Sequence, residues 1–145
     1  MRLQVAYDLA NQSKITCQTE MSMADKGTVI VAGAGGLVGR AVIDRYLSEG
    51  GWNVVALSRR PPDPATGAAH LAVDLTDAQS CRDRLAALTG VTHIVYAALF
   101  EKPDLTEGWL EDDQIAVNLA MLTNLLDSVE PGNPGLHHIT LLQGA

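Results

Sequence analysis

Residues 28–39 read TVIVAGAGGLVG. A β-branched apolar run, Val29-Ile30-Val31, meets four glycines, Gly33, Gly35, Gly36 and Gly39, and a helical pattern opens at Leu37. Strand, glycine turn, helix is the context that a dinucleotide-binding fingerprint requires. Gly33 allows a tight turn out of the strand. Gly35 and Gly36 let the main chain approach a pyrophosphate with no Cβ in the way, and Gly39 lets the helix lie close on the strand. The helix N-terminus, which begins Leu37-Val38, turns unpaired N–H groups and a positive dipole end toward that anion. The competing reading is a glycine-rich turn in an unrelated α/β domain.

Apolar residues continue at helical spacing through Val42 and Tyr46, and Gly50-Gly51 is a C-cap signal, so a helix is expected over Leu37–Glu49. Trp52–Ser58 (WNVVALS) reads as a second strand, which completes a βαβ unit of the usual length. Sites that prefer NAD place an Asp or Glu at the end of that strand to hold the ribose hydroxyls. Here the chain reads Ser58-Arg59-Arg60. No carboxylate repels a 2′-phosphate, and two guanidinium groups are present to pair with one. The expected cofactor is therefore NADP(H) in preference to NAD(H), against the alternative of a solvated basic pair.

Residues 61–69 (PPDPATGAA) form a Pro/Gly-rich loop. A short third strand is expected over residues 70–73. Thr76-x-x-Gln79 then reads as a capping box that opens a helix with Cys81, Leu85 and Leu88 on its apolar face and Gly90 as its stop. Asp74 and Leu75 fall at the carboxyl end of the third strand, where ligands bind in open α/β sheets. Asp74 reads either as an acceptor for the adenine amine or as a turn aspartate. Residues 91–99 give a fourth strand, and small Ala97 and Ala98 leave room for ribose and nicotinamide or mark close packing. Residues 101–113 are acidic and irregular, a lid or a solvated loop. Ile115, Leu119, Leu122, Leu126 and Val129 then mark a helix, with Asn118 its notable polar residue, expected to point outward without function. Residues 137–142 are the fifth strand. His137 and His138 are expected on opposite faces of it, His70 and His93 lack ligand partners, and no metal is expected.

Residues 1–26 are polar and read as a poorly ordered extension with at most a short amphipathic helix in the first dozen positions. Residues 27–145 read as one NAD(P)-binding domain, incomplete at its end. The 47% apolar and 19% charged content suits buried parallel strands covered by helices. A net charge of -7 argues against a nucleic-acid surface. Cys17 and Cys81 lack metal or disulfide spacing and read as reduced thiols of a cytoplasmic protein. No apolar run approaches the ~20 residues of a membrane span, and the start lacks the apolar core of a signal peptide.

Five strands alternating with helices imply one doubly wound parallel sheet, a Rossmann fold with spatial order 3-2-1-4-5. The spacing Gly33-x-x-Gly36-x-x-Gly39 resembles that of extended or atypical short-chain dehydrogenases/reductases. Ser58-Arg59-Arg60-Pro61, Asp74-Leu75, residues 91–96 (VTHIVY) and residues 138–144 (HITLLQG) are similar to the progesterone 5β-reductase/iridoid synthase-like reductases, which use NADPH to reduce enones. That resemblance implies pyrophosphate contacts at Gly35, Gly36 and Leu37, 2′-phosphate contacts at Arg59 and Arg60, adenine contacts at Asp74 and Leu75, and nicotinamide contacts near Ala98 and Leu142. The family often has Thr at the place of Gly35 and polar residues at those of Ala98 and Leu142, so fewer side-chain hydrogen bonds reach the cofactor here. It also implies a catalytic Lys directly after Ala145 and a Tyr further on. Tyr7, Tyr46 and Tyr96 stand in no Tyr-x-x-x-Lys pairing, and the chain alone is expected to be inactive. The alternatives are a non-catalytic, NmrA-like cofactor-sensing module and, more remotely, an NAD-dependent sugar epimerase relative. A small-molecule substrate is expected only for a longer chain.

Overall fold

The computed structural model describes residues 25–101 and 112–142. The expected extension over residues 1–26, the lid-or-loop segment and the last three residues lie wholly or largely outside them. The elements in chain order are β1 (Gly27–Ala32), α1 (Leu37–Glu49), β2 (Trp52–Ser58), β3 (Ala69–Ala72), α2 (Ala78–Leu85), β4 (Val91–Tyr96), α3 (Asp112–Val129), a 3-10 turn (Glu130–Gly132) and β5 (His138–Leu141). All pairings are parallel and the order is β3-β2-β1-β4-β5. The doubly wound sheet expected from the alternation of strands and helices is what forms.

The period-two alternation of β1 explains why both faces need cover. Val29 and Val31 point to the α1 side, where they meet Ile43, Val54, Ala56 and Val95. Ile30 and Ala32 point to the α2/α3 side, into a larger cluster with Leu57, Leu85, Ile94, Leu125 and Val129. The inner stretches of the three central strands, residues 29–32, 54–57 and 94–96, thus read as apolar runs because neither of their faces reaches water.

Three local expectations change. Thr76 does not cap α2. Asp77 is the N-cap, and its Oδ1 accepts from the backbone N–H of Gln79 at 2.8 Å and of Ser80 at 3.1 Å. A carboxylate is the stronger acceptor for those helix donors, and Thr76 turns back to Asp74 instead. The α3 stripe is also rotated from the expected one. Ile115 and Leu119 are 57% and 63% exposed, while Met121, Leu125 and Val129 are buried with Gln114 and Ser128. Apolar residues cover two adjacent sides of this helix, and the period alone does not choose between them. Asn118 faces inward as part of that rotation. Finally, β5 starts only at His138, so strand alternation does not reach His137, and both rings approach His93, with centroids 4.8 and 5.4 Å away.

Candidate dinucleotide site at the carboxyl ends of the strands

β1 and β4 lie side by side at the centre of the sheet, but their following connections run to opposite faces. A crevice opens where the connections part, as open α/β sheets dictate. The turn after β1 is pinned by its backbone. Gly33 and Ala34 both donate to Leu57 O at 3.1 Å, Gly36 donates to Gly33 O at 3.0 Å, and Ala97 donates to Ala32 O at 2.9 Å.

Two glycines of this turn are obligatory for shape and one is not. Gly33 has φ +86°, and a Cβ there would lie 2.5 Å from Ala97 O. A Cβ on Gly39 would collide with Gly33 O, so the helix and the turn touch main chain to main chain. Gly35 is different: a Cβ there would meet nothing within 4 Å. No steric reason inside the protein calls for glycine at that place, and the space above it is open to the cleft. Gly36 is the N-cap of α1 and has no side chain to satisfy the first helical donors. Those N–H groups therefore face outward in a form suited to an anion.

The cleft has a volume of about 480 Å³, within the range of small-molecule and cofactor sites. Gly33, Gly35 and Gly36 form its floor near α1, with Ser58, Arg59 and Arg60 on the β2 side. Asp74 and Leu75 close the β3 side, and Ala97 and Ala98 the β4 side. Ten of the residues singled out from sequence are thus brought together. Four are not on the wall: Leu37 is 88% exposed at the helix start with Val38 beside it, Gly39 lies beneath the turn, and Leu142 follows β5, its N–H bonded to Tyr96 O at 3.0 Å. Pro61, Pro62, Leu99, Phe100 and Met121 also line the cleft. Pro61 and Pro62 follow directly on the arginine pair, whereas nothing local marked Leu99, Phe100 or Met121, which reach the cleft through the fold.

Charges of both signs line the β2 and β3 sides of the cleft: Arg59 and Arg60, with Asp63 and Asp74. Arg59 and Arg60 are exposed and neither makes a close ion pair among the described residues. Ser58 Oγ donates to Arg60 O at 2.6 Å and lies 3.0 Å from His70 Nε2, which ties the arginine loop to β3. Asp74 Oδ1 accepts from Thr76 Oγ1 at 2.7 Å and from Thr76 N–H at 3.0 Å. These bonds, with the nearby Arg59 charge, hold the Asp74 carboxyl below its ordinary range. It stays an acceptor across the physiological range. Among the described residues no group of His, Cys, Asp and Glu is arranged to hold a metal ion. No helix is long and apolar enough to cross a membrane among them.

Comparisons with known proteins agree with this arrangement. The chain is 30% identical over 135 residues to a 3-oxo-Delta(4,5)-steroid 5-beta-reductase of Arabidopsis thaliana, an alignment that covers 88% of this chain and 33% of the relative. It is 31% identical over 127 residues to an (S)-8-oxocitronellyl enol synthase of Camptotheca acuminata, covering 82% and 31%. It spans about a third of the length of these relatives. Among solved structures, a short-chain dehydrogenase from Burkholderia cenocepacia in complex with NADP superposes with a TM-score of 0.61 at 17% identity, over 77% of this chain and 50% of that one. A family model described as the NAD dependent epimerase/dehydratase family matches residues 29–140. The glycine turn, the crevice at the strand ends and this match together establish that the chain belongs to the NAD dependent epimerase/dehydratase family and carries its NAD(P)-binding domain.

Proposed function

We propose that this chain is the cofactor-holding part of an NADP(H)-dependent oxidoreductase of the short-chain dehydrogenase/reductase type, one that reduces an enone or carbonyl compound in a longer protein. The observation that carries the reading is the juxtaposition of two anion-binding features in one cleft. Gly35 and Gly36 expose main chain at one wall, and Arg59 and Arg60 stand at the other. The first suits the pyrophosphate shared by both nicotinamide cofactors. The second suits the 2′-phosphate that only NADP(H) carries. Reduced nicotinamide, when bound, supplies the hydride.

The chain's own residues would bind and orient. The amides of Gly36 and Leu37 would hold the pyrophosphate, the guanidinium groups of Arg59 and Arg60 would clamp the 2′-phosphate, and Asp74 would accept from the adenine amine. Ala97 and Ala98 would leave the β4 side clear for the nicotinamide ribose. A proton donor is not among the described residues of the cleft. Tyr46 packs edge-on against Trp52, and Tyr96 is buried in the core with its hydroxyl pushed up to about 12 by desolvation. The first relative named above is a reductase of a 3-oxo-Delta(4,5)-steroid, which is an enone, and the second is an enol synthase; the reading extends the first chemistry to the longer protein.

The test is calorimetric titration of the purified chain with NADPH and NADH in parallel. NADPH is expected to bind the tighter of the two, with an advantage that shrinks as salt rises. Equal affinity for the two would refute the phosphate assignment. With an enone present, the chain alone is expected to consume no NADPH. Steady consumption would show that the proton donor lies within it.

A further inference from the structure

Helix α3 does not follow the glycine turn, yet it is tied by side chains to both ends of the cleft. Asn118 Oδ1 accepts from the Phe100 N–H at 2.8 Å, and its Nδ2 donates to Phe100 O at 2.9 Å. The same Nδ2 also donates to Gln114 O at 3.0 Å, so both amide hydrogens are used. Asn118 thus pairs with Phe100 as a neighbouring strand would, and it fixes the segment that follows β4 where it borders the cleft. Six residues on, Asn124 Nδ2 donates to Leu75 O at 2.9 Å, on the wall that follows β3. Midway between the two, Met121 is buried and forms part of the cleft wall. Over this distance the helix advances about 9 Å. Neither asparagine lines the cleft.

The two walls they hold belong to opposite halves of the site. Across a strand-order reversal a dinucleotide lays one nucleoside on each side. Leu75 stands on the adenine side and Phe100 on the nicotinamide side. We infer that Asn118 and Asn124 are positioning residues, and that α3 acts as a spacer setting the distance between the nicotinamide wall and the adenine wall. The inference rests on the dinucleotide reading of the cleft. Each bond joins a side-chain amide to a backbone group, and replacement of Asn by isosteric Asp removes the donor. A carboxylate would then face Phe100 O or Leu75 O, an arrangement that repels. The wall would move while the helix stayed.

The experiment uses Asn118→Asp and Asn124→Asp in the full chain, with two ligands that differ by the nicotinamide alone. These are NADPH and 2′-phospho-ADP-ribose, or NADH and ADP-ribose if the unaltered chain binds that pair more tightly. Calorimetry gives each affinity. Asn118→Asp is expected to weaken the nicotinamide cofactor by about tenfold, the weight of one hydrogen bond to a charged or buried group, and to leave the ribose analogue within about twofold. Asn124→Asp is expected to weaken both ligands by the same factor. Val129→Ala, a destabilising change on the same helix away from the cleft, is expected to alter neither affinity. Asn118→Asp losses equal for the two ligands, or unchanged affinities in both Asp variants, would overturn the spacer while the dinucleotide site stood. Failure of the unaltered chain to bind either pair would overturn the site itself, and the spacer with it. Should an Asp variant not fold, Asn118→Ser and Asn124→Ser, which remove the amide without adding charge, are expected to show the same split. Its absence in them counts equally against the inference.

Discussion

The same parallel strands end in two different ways. At their amino ends, rings stack edge to face. Tyr46 meets Trp52 edge-on at 5.0 Å, Trp52 meets His93 at 4.7 Å, and His93 meets His137 at 4.8 Å. At their carboxyl ends the residues are small, Gly33, Gly35, Gly36, Ala97 and Ala98, and the space between them stays open. One sheet with one twist supports both ends, so the opening is not a failure of packing. Large rings pack against one another at the amino ends, with a cavity of about 500 Å³ left beside His137 and His138, whereas backbone is left bare at the carboxyl ends, where the family holds its dinucleotide. The glycines make the contrast sharper. Gly33 and Gly39 are required by contacts inside the protein, whereas Gly35 has open space where a side chain would stand.

The largest effect is expected from a change that tests this division directly. Gly33→Ala puts a Cβ on a positive-φ residue and against Ala97 O, and it is expected to cost roughly 3 kcal/mol in a denaturant titration. Gly36→Ala, whose Cβ would meet only Gly33 O at 3.4 Å, is expected to cost no more than about 1 kcal/mol of stability and to weaken dinucleotide binding by about tenfold, as a methyl group enters the pyrophosphate seat, whereas Gly35→Ala, where the family often has Thr, is expected to change neither by much. A Gly36→Ala protein with full affinity would break the comparison. Next in size, Arg59→Ala combined with Arg60→Ala is expected to weaken NADPH by more than about tenfold, the loss of charge-assisted bonds. NADH should change little, and equal losses for both cofactors would reassign the pair to solvent.

The ring-lined end should answer in the opposite way. Trp52→Leu removes two edge-on contacts and is expected to cost about 1–2 kcal/mol of stability, with both cofactor affinities unchanged. A change in cofactor affinity would show that the two ends are coupled. The smallest effect concerns pH. Burial first, then the neighbouring charges of His137 and His138, hold the His93 imidazole below its ordinary value. The unfolded chain therefore takes up a proton near pH 6.5, before the folded one does. Stability contributed here is full above that pH and is lost as pH falls toward the lower folded value. His93→Gln is expected to flatten the stability profile below about pH 6.5, a comparison made by thermal melts of the two proteins.

The order of the strands was legible because its signals are local. A β-branched run into glycines, a helix stopped by Gly50-Gly51, and a run at Trp52–Ser58 sit within about thirty residues of one another. The arginine pair and Asp74 were legible for the same reason, since the arginines follow directly on the end of β2 and Asp74 lies two residues past the end of β3. The far wall of the cleft was not. Phe100 and Met121 reach it through the packing of α3, and the apolar residues of that helix fit two overlapping stripes. The asparagines were hidden in another way. Asn118, Asn124 and Asn133 bond to backbone 18, 49 and 45 residues away. A backbone carbonyl is the same at every residue, so no pattern in the sequence points to it. Asn133 makes the case plainly: within an evident turn, it accepts from Val91 N–H and donates to Leu88 O and Val129 O, all while buried. At α2 two residues competed for one cap, and the acidic one next to the helix took it.

The most direct measurement is a titration of the isotopically labelled chain with NADPH, followed by the backbone amide signals in solution. The account predicts saturable shifts at Gly35, Gly36, Leu37, Arg59 and Leu75, with Trp52, His93 and His138 left in place. Saturable shifts at the ring-lined end alone, or none at the glycine turn at saturating cofactor, would contradict it.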